Sequence, residues 1–343
     1  MKKLLNSLFI LSEDTFLTLD GENIVIKTGE ETVGRYPLHN LESIHCFSYR
    51  GASPALMGAC CERGIGLAFY SPYGKFLASV KGSSIGNVLL RKEQYRISDS
   101  EERSCLYAKN MIMGKVFNAR WCIERTIRDH ALRVETERLK NVSQNLKSSC
   151  DKIRYINELD TMRGLEGELA SQYFSVFNEL IINQKEDFQF VKRTRRPPLD
   201  KVNALLSFAY TLLVSDCANA LEGVGLDSYV GFMHRDRPGR KSLALDLMEE
   251  LRSSICDRFV LTLINNRIVN EKSFEVRENG EVILTEKGRK QFITTWQNHK
   301  KETITHPYLK EKISWGLVPH IQALLLARAI RGDIDQYPPF LWK

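Results

Sequence analysis

The sequence predicts an α+β protein with two domains: a β-sandwich-like domain in residues 1–85, followed by a larger, mainly α-helical domain with a small β-hairpin insertion in residues 86–343. Three observations predict this fold class. Short apolar segments separated by turn residues fill the N-terminal region, which is typical of strands. No proline occurs from Tyr73 to Arg196, and apolar residues within that stretch recur at helical spacing. The length of 343 residues is also sufficient for two domains.

The elements of the N-terminal domain are predicted from its turns. The segments TFLTL and NIVIK flank Asp20-Gly21, and a tight hairpin turn favours glycine because it requires positive φ. Further strands are expected near residues 32–36, 42–47, 65–70 and 75–80. A short helix interrupts them, with Ser53 as its N-cap, Pro54 at its first position and Gly64 after its end.

The second domain is predicted to be helical after a linker near residues 82–90. Its one expected hairpin is SFEVRENGEVIL, residues 273–284, which turns at Asn279-Gly280. Thr285 is a candidate N-cap for the helix that follows. The final segment, DQYPPFLWK, has no helical pattern.

The composition is that of an ordinary globular protein, with 43% hydrophobic and 27% charged residues. The net charge of +7 permits a nucleic-acid partner without proving one, because bulk charge governs nonspecific attraction. None of the eight cysteines forms a C-x-x-C pair, so a zinc knuckle is not expected. We interpret all eight as buried thiols of a protein that works in the reducing cytoplasm.

The start of the chain, MKKLLNSLFILSED, imitates a signal peptide. Asn6 and Ser7 interrupt its apolar run, and Glu13-Asp14 stand where small cleavage-site residues are required, so we do not interpret it as one. No uninterrupted apolar run approaches about 18 residues, and no membrane-spanning helix is expected.

A helix predicted in residues 242–252 carries neighbouring carboxylates. Asp246 and Glu249 are three residues apart and therefore lie side by side on the helix surface, where like charges repel. A divalent cation held by two carboxylates and a third ligand would reverse that repulsion. The alternative is a solvated acidic face. The cations just before the helix favour a phosphate partner bridged by a metal, although His234 alone would more often be a packed or surface residue.

A second candidate region is MRGLEGELASQYF, in which Glu166 lies between Gly164 and Gly167. Glycines three residues apart in a helix allow the close approach of another backbone or of a ligand, and simple helix packing remains the alternative. The basic run KRTRRPP then suggests a DNA-backbone contact or a solvated loop. Asn203, in the apolar helix after it, is either a buried hydrogen-bonding group or an exposed first-turn residue.

Three ordered segments together resemble one family. They are RGLEGELASQYF, PPLDKVNALLSFAYTLL and GLDSYVGFMHRDRPGRKSLALDLMEELR. In this order and spacing they resemble the CRISPR-associated integrase of spacer acquisition, the Cas1 family. The opening LNSLFILSEDTFLTLDGENIVI resembles its type I-C branch, and the resemblance extends essentially from end to end.

The resemblance implies an N-terminal β domain and a C-terminal helical catalytic domain that holds one divalent metal ion, Mg²⁺ or Mn²⁺. The metal ligands would be Glu166, His234 and Glu249, and Asp246 would be a further catalytic acid near the metal. Some relatives carry aspartate at the position of Glu249, so the division of roles between Asp246 and Glu249 stays open. The cations expected to contact DNA are Arg193, Arg195, Arg196, Arg235, Arg237, Arg240 and Lys241.

The family cuts and joins DNA, so the resemblance implies that the 3′-hydroxyl of a short foreign DNA attacks a phosphodiester in a CRISPR array. No Walker loop is present, in agreement with an exchange of phosphodiesters that needs no nucleotide triphosphate. Homodimers, bridged by a small ferredoxin-like Cas2 partner in a heterohexamer, are implied as well. The β domain and the apolar C-terminal tail are candidate dimer contacts. Two alternatives remain: a non-catalytic DNA-binding scaffold and a branched-DNA repair nuclease.

Overall fold

The computed structural model describes residues 6–71, 76–80, 82 and 88–343. The chain divides into two compact units, residues 1–85 and 86–343. Most of the linker expected near residues 82–90 lies outside the described residues. The mixed architecture, with strands first and helices after them, confirms the predicted fold class.

The N-terminal unit contains two sheets and one helix. Its elements are β1 (Asn6–Ile10), β2 (Thr15–Asp20), β3 (Asn23–Thr28), β4 (Glu31–Pro37), β5 (Leu41–Cys46), α1 (Pro54–Glu62), β6 (Gly66–Tyr70) and β7 (Phe76–Val80). One sheet has the order β1-β5-β6-β7, with β7 antiparallel and the others parallel. The other is the antiparallel meander β2-β3-β4. Leu17, Ile44 and Leu56 bring both sheets and α1 into one core.

The predicted turn and cap of this unit are confirmed. Asp20 pairs with Asn23 at the end of the first hairpin, and Gly21 has a φ of 55°. The Ser53 side chain accepts a hydrogen bond from the Leu56 N–H, so it satisfies one of the free donors at the start of α1.

The C-terminal unit is built from nine described helices. They are α2 (Val88–Ser98), α3 (Glu101–His130), α4 (Thr136–Tyr155), α5 (Leu159–Ser175), α6 (Lys201–Gly223), α7 (Ser242–Leu251), α8 (Arg258–Asn265), α9 (Glu286–Lys301) and α10 (Val318–Arg331). A π-helical turn, Arg252–Asp257, joins α7 to α8. The predicted hairpin is present as β8 (Phe274–Val276) and β9 (Val282–Leu284), and Thr285 caps α9 as expected. A second hairpin, β10 (Thr303–Thr305) with β11 (Lys312–Ser314), was not predicted.

Helix α6 forms the centre of this unit and packs against α7 and α10. It is long and apolar enough to cross a membrane by length and composition, but 72% of its most apolar window is buried inside the fold. That burial is what a central core helix requires, since it is covered by other helices on most sides.

The C-terminal segment packs onto its own chain. Tyr337 and Phe340 are fully buried, and the Trp342 N–H donates to the Asn118 side chain on α3. The expectation that the apolar residues of this tail contribute to a dimer surface is therefore wrong for Tyr337 and Phe340. All eight cysteines are unpaired, but Cys61 and Cys150 are only partly buried, which corrects the interpretation of a fully buried set.

Candidate active site

Helix α5 carries Glu166, whose side chain is partly exposed, between two glycines. Gly164 and Gly167 are both exposed, and a Cβ atom added at either position would meet no atom within 4 Å. The interpretation of this glycine pair as a helix-packing motif is therefore wrong. The pair instead lies on an unobstructed part of the helix surface.

The close helix contact lies at another glycine. A Cβ atom at Gly114 of α3 would lie 2.7 Å from the Cβ of Glu250 and 3.5 Å from the Cβ of Pro339. The Glu250 Cβ is too near for any side chain larger than hydrogen, whereas the distance to Pro339 is an ordinary van der Waals contact. Gly114 thus allows α3 to lie directly against α7.

The carboxylates of α7 are buried, so the alternative of a solvated acidic face is wrong. Asp246, Glu249 and Glu250 are 1%, 4% and 0% exposed. Buried carboxylates are costly unless cations or hydrogen-bond donors surround them. Each of the three has found such partners, and the partners differ.

Asp246 holds the loop that carries His234. Its Oδ2 accepts hydrogen bonds from the N–H groups of Phe232 and Met233 at 2.6 and 3.0 Å. Its Oδ1 accepts from the His234 N–H at 3.0 Å and lies 2.6 Å from His234 Nδ1. With Nδ1 as the donor, the lone pair of the neutral ring is on Nε2, which is the arrangement that carboxylates impose on metal-binding histidines. These four contacts orient the loop of His234, and the expectation that Asp246 is a further catalytic acid near the metal stays a prediction.

Glu249 lies between two cations. Its Oε1 is 3.0 Å from Arg252 Nη2, and its Oε2 is 2.7 Å from Lys115 Nζ. Burial raises the pKa of Glu249, but the charges of Arg252, Lys115 and His234 outweigh burial and lower this pKa to about 2. Glu249 is therefore a carboxylate at every physiological pH.

The same lysine connects Glu249 to Glu166. Lys115 Nζ forms an ion pair with Glu166 Oε1 as well as with Glu249 Oε2. Two of the three expected metal ligands, one from α5 and one from α7, therefore meet at a single ammonium group. The third, His234, is close enough for its charge to act on Glu249.

In the part of the chain that the structure describes, no three His, Cys, Asp or Glu side chains surround a common point as a metal ion would require. The donor set itself nevertheless suits a hard divalent cation, because it comprises two carboxylates and one imidazole with Nε2 available. Glu249 Oε2 also has no hydrogen-bond donor of acceptable geometry among the described residues, although it is buried. The Lys115 ion pair neutralises this oxygen without saturating it. The residues present therefore fit a divalent metal.

Glu250 points away from that group and anchors the C-terminal segment. Its carboxylate accepts hydrogen bonds from the Tyr337 hydroxyl, from Gln322 Nε2 at 3.0 Å and from the Phe340 N–H at 2.8 Å. Burial raises the pKa of Glu250 to about 7, although these three hydrogen bonds oppose the rise. Glu250 therefore connects the side of α7 that faces away from Lys115 to the C-terminal segment.

The π-helical turn places two more charged side chains beside the site. Arg252 binds Glu249, and its guanidinium lies 5.0 Å from the centre of the Tyr210 ring. The Tyr210 hydroxyl donates to Asp257 Oδ1 at 2.5 Å. Irregular π-turns are frequent at functional sites because they redirect side chains within one helix. A cavity of about 30 Å³ beside them has a mainly apolar lining, to which Lys115, Glu166, Arg195, Tyr210, Arg252 and Asp257 add polar groups.

The predicted DNA-binding cations differ in their accessibility. Arg237 is exposed, whereas Arg240 and Lys241 are partly exposed. Arg235 is exposed and forms a 3.0 Å ion pair with Asp160.

The arginines of the basic run KRTRRPP also differ in their accessibility and contacts. Arg195 and Arg196 are exposed. Arg193 instead donates to Asn203 Oδ1 at 2.6 Å and to Ser207 Oγ at 3.0 Å. Its guanidinium is thus bonded within the fold, and the expected contact of Arg193 with DNA stays a prediction. The partner, Asn203, is fully buried, which resolves the two alternatives for that residue.

Sequence reasoning missed four residues that shape this site. They are Lys115, Tyr210, Arg252 and Asp257. A lysine among the buried apolar residues of a long helix was the signal available at Lys115, and the spacing of three residues from Glu249 was the signal at Arg252. No pattern in the sequence predicts a π-helical turn.

Comparison with known proteins identifies the family. The family model described as CRISPR associated protein Cas1 matches residues 8–298. The chain belongs to the Cas1 family. It is 45% identical over 343 residues to a CRISPR-associated endonuclease Cas1 of Chlorobaculum tepidum, and 46% identical over 353 aligned residues to one of Rhodospirillum rubrum, with complete coverage of both chains in each comparison.

Solved structures share the fold of this Cas1-family chain. A casposase bound to its integration product superimposes with a TM-score of 0.83 at 21% identity, covering 98% of this chain and 93% of the casposase. A Cas1 protein from Thermotoga maritima gives a TM-score of 0.81 at 22% identity, covering 95% and 97%. At these identities the likeness concerns the fold.

Proposed function

We propose that this chain is a divalent-metal-dependent DNA endonuclease and integrase that inserts short foreign DNA fragments into a CRISPR array. The observation that carries the proposal is the meeting of Glu166 and Glu249, from separate helices, at one cationic point beside a histidine oriented by Asp246. The relatives named as CRISPR-associated endonucleases support the activity.

Glu166, Glu249 and His234 would hold the metal through two carboxylates and the Nε2 lone pair. Mg²⁺ and Mn²⁺ both suit the carboxylates, and Mn²⁺ accepts an imidazole ligand more readily. When bound, the metal would act as a Lewis acid on the scissile phosphate and stabilise the departing oxygen. Asp246 keeps the histidine ring in the tautomer that this role requires.

The reaction itself is an exchange of phosphodiesters. The 3′-hydroxyl of the incoming DNA forms a new P–O bond, and the array strand leaves with a free 3′-hydroxyl, so one bond replaces an equivalent one. His234 is not the general base, because its Nδ1 is bonded to Asp246 and its Nε2 would bind metal. Cations that are exposed or partly exposed would hold the DNA backbone, namely Arg193, Arg195, Arg196, Arg235, Arg237, Arg240 and Lys241.

The proposed partners are DNA, a second copy of the chain, and a small ferredoxin-like Cas2 partner in a heterohexamer, acting in the cytoplasm. Two solved structures that share this fold, a casposase bound to an integration product and a Cas6-RT-Cas1–Cas2 complex, support DNA and Cas2 as partners.

A non-catalytic DNA-binding scaffold is the competing function, and one observation favours it. The ion pairs of Lys115 neutralise Glu166 and Glu249 without any metal. A scaffold of this kind would bind DNA independently of metal and would not cleave it.

A strand-transfer assay with labelled DNA and Mn²⁺ separates these functions. We expect Glu166→Gln and His234→Ala to abolish joining while DNA binding persists. Glu168→Gln is the matched control, because Glu168 is an exposed glutamate on the same helix, and its one described hydrogen bond is accepted from Gln172. Joining by Glu166→Gln at the wild-type rate would refute the proposed chemistry, and preference for branched junctions over array DNA would favour a repair nuclease.

A further inference from the structure

Lys115 is the only described side chain that forms ion pairs with both Glu166 and Glu249. Its side chain is 12% exposed, and the two carboxylates are 22% and 5% exposed. A lysine this buried loses much of its hydration, and it is retained only where opposite charges replace the lost water. The two glutamates supply that replacement.

The carboxylates depend on the lysine in return. Without it, Glu166 and Glu249 would face each other with like charges in a region of restricted solvent access, where Coulomb repulsion is stronger than in bulk water. Arg252 neutralises the other oxygen of Glu249 but has no ion pair with Glu166 among the described contacts. Lys115 therefore supplies the charge that the expected metal would supply at the same pair of side chains.

We propose that Lys115 is the resident cation of the metal-free site, and that a divalent metal enters by displacing its ammonium from Glu166 and Glu249. This inference rests on the proposed metal-dependent function. One ammonium and one divalent ion compete for the same oxygens, so the affinity for metal is set partly by the strength of the two lysine ion pairs.

The two neighbouring cations are suited to different roles. The Lys115 ammonium is a point charge on a flexible four-carbon chain and can leave without rearranging the backbone. Lys115 also lines the cavity of about 30 Å³ next to Glu166. Arg252 is planar and is held 5.0 Å above the Tyr210 ring, so it remains beside Glu249 when Lys115 departs.

Lys115→Met tests the inference, with Lys109→Met as the matched control. Lys109 is on the same helix but bonds to the Arg154 carbonyl and to Asn157, away from both glutamates. In calorimetric titration of the metal-free proteins with Mn²⁺, we expect Lys115→Met to bind at least tenfold more tightly than the wild type and Lys109→Met to bind equally. In EDTA we expect Lys115→Met to melt several degrees below Lys109→Met, with Mn²⁺ removing most of that difference.

A measurement on the wild-type protein covers the case in which Lys115→Met does not fold. Reductive methylation followed by mass spectrometry reports the accessibility of each lysine amine. We expect Lys115 to be protected in EDTA and to become at least threefold more reactive in saturating Mn²⁺, while Lys109 does not change.

The outcomes are distinguishable. Equal or weaker Mn²⁺ binding by Lys115→Met, or unchanged methylation of Lys115, overturns the displacement while leaving a metal-dependent enzyme intact. An absence of Mn²⁺ binding in every variant overturns both the displacement and the metal centre of the proposed function.

Discussion

Replacing Asp246 by asparagine tests how the loop and the metal site depend on one buried carboxylate. Both oxygens of Asp246 are used: Oδ2 accepts from Phe232 and Met233, and Oδ1 accepts from the main chain and ring of His234. Asparagine has the same shape but only one acceptor oxygen. In Asp246→Asn, one pair of donors must therefore face an NH₂ group.

The cost can be worked out from these contacts. In the better rotamer the amide oxygen serves Phe232 and Met233, so the His234 N–H loses its acceptor and the ring must move its proton to Nε2. An orphaned buried donor costs about 1–3 kcal/mol, and the hydrogen bonds that remain lose their charge assistance, so we expect a total loss of about 2–4 kcal/mol in unfolding free energy. Because Nε2 then carries a proton, we expect Mn²⁺ affinity to fall by about 10–100-fold.

Guanidinium unfolding of the metal-free protein measures the first quantity, and Mn²⁺ calorimetry measures the second. Asp236→Asn is the control, because Asp236 is exposed on the same loop and accepts only a 3.3 Å bond from the Gly231 N–H among the contacts described. Asp246→Asn with wild-type stability and wild-type Mn²⁺ affinity would refute the positioning role.

Three further predictions concern stability and are measured by chemical or thermal unfolding. Gly114→Ala should lower the unfolding free energy by about 1–3 kcal/mol, because its Cβ would meet Glu250 at 2.7 Å; an unchanged stability would contradict the close packing of α3 on α7. Gly167→Ala should raise it by about 0.5–1 kcal/mol, since the position is helical, exposed and unobstructed; a loss would contradict the open surface at Gly167. Burial lowers the pKa of His306, whose Nε2 lies 3.1 Å from Gln322 Oε1, so the folded protein binds its proton less readily than the unfolded chain does. The contribution of His306 to the unfolding free energy is complete above its unfolded pKa of about 6.5 and is lost as the pH falls towards the folded pKa. His306→Gln should therefore flatten the dependence of unfolding free energy on pH between about pH 7 and 5.

Local signals in the sequence predicted local features of the fold. The turn at Gly21, the cap at Ser53 and the hairpin at Gly280 each follow from a short-range steric or hydrogen-bonding preference, and the structure has all three. The hairpin from β10 to β11 lacked such a signal. Its strands are only three residues long and are separated by a loop with Lys310 at positive φ, which no residue preference predicts.

The candidate site was predictable only in part, for a physical reason. The resemblance gave Glu166, His234 and Glu249, but periodicity alone placed the acidic residues of α7 at the surface. That expectation failed because the polar face of an amphipathic helix looks the same in sequence whether it contacts water or a neighbouring helix that supplies cations. Lys115 is 51 positions from Glu166, and its pairing depends on tertiary packing between α3, α5 and α7.

The π-helical turn has a structural consequence for the rod formed by α7 and α8. A π-turn accommodates one more residue than an ordinary helical turn, and each residue of an α-helix advances the side chains by about 100°. Shortening Arg252–Asp257 by one residue would make the rod regular, yet it would swing everything downstream by that angle and carry Asp257 away from Tyr210. The π-helical turn thus allows one continuous helix to place Glu249 at the site and, further along, Asp257 against Tyr210.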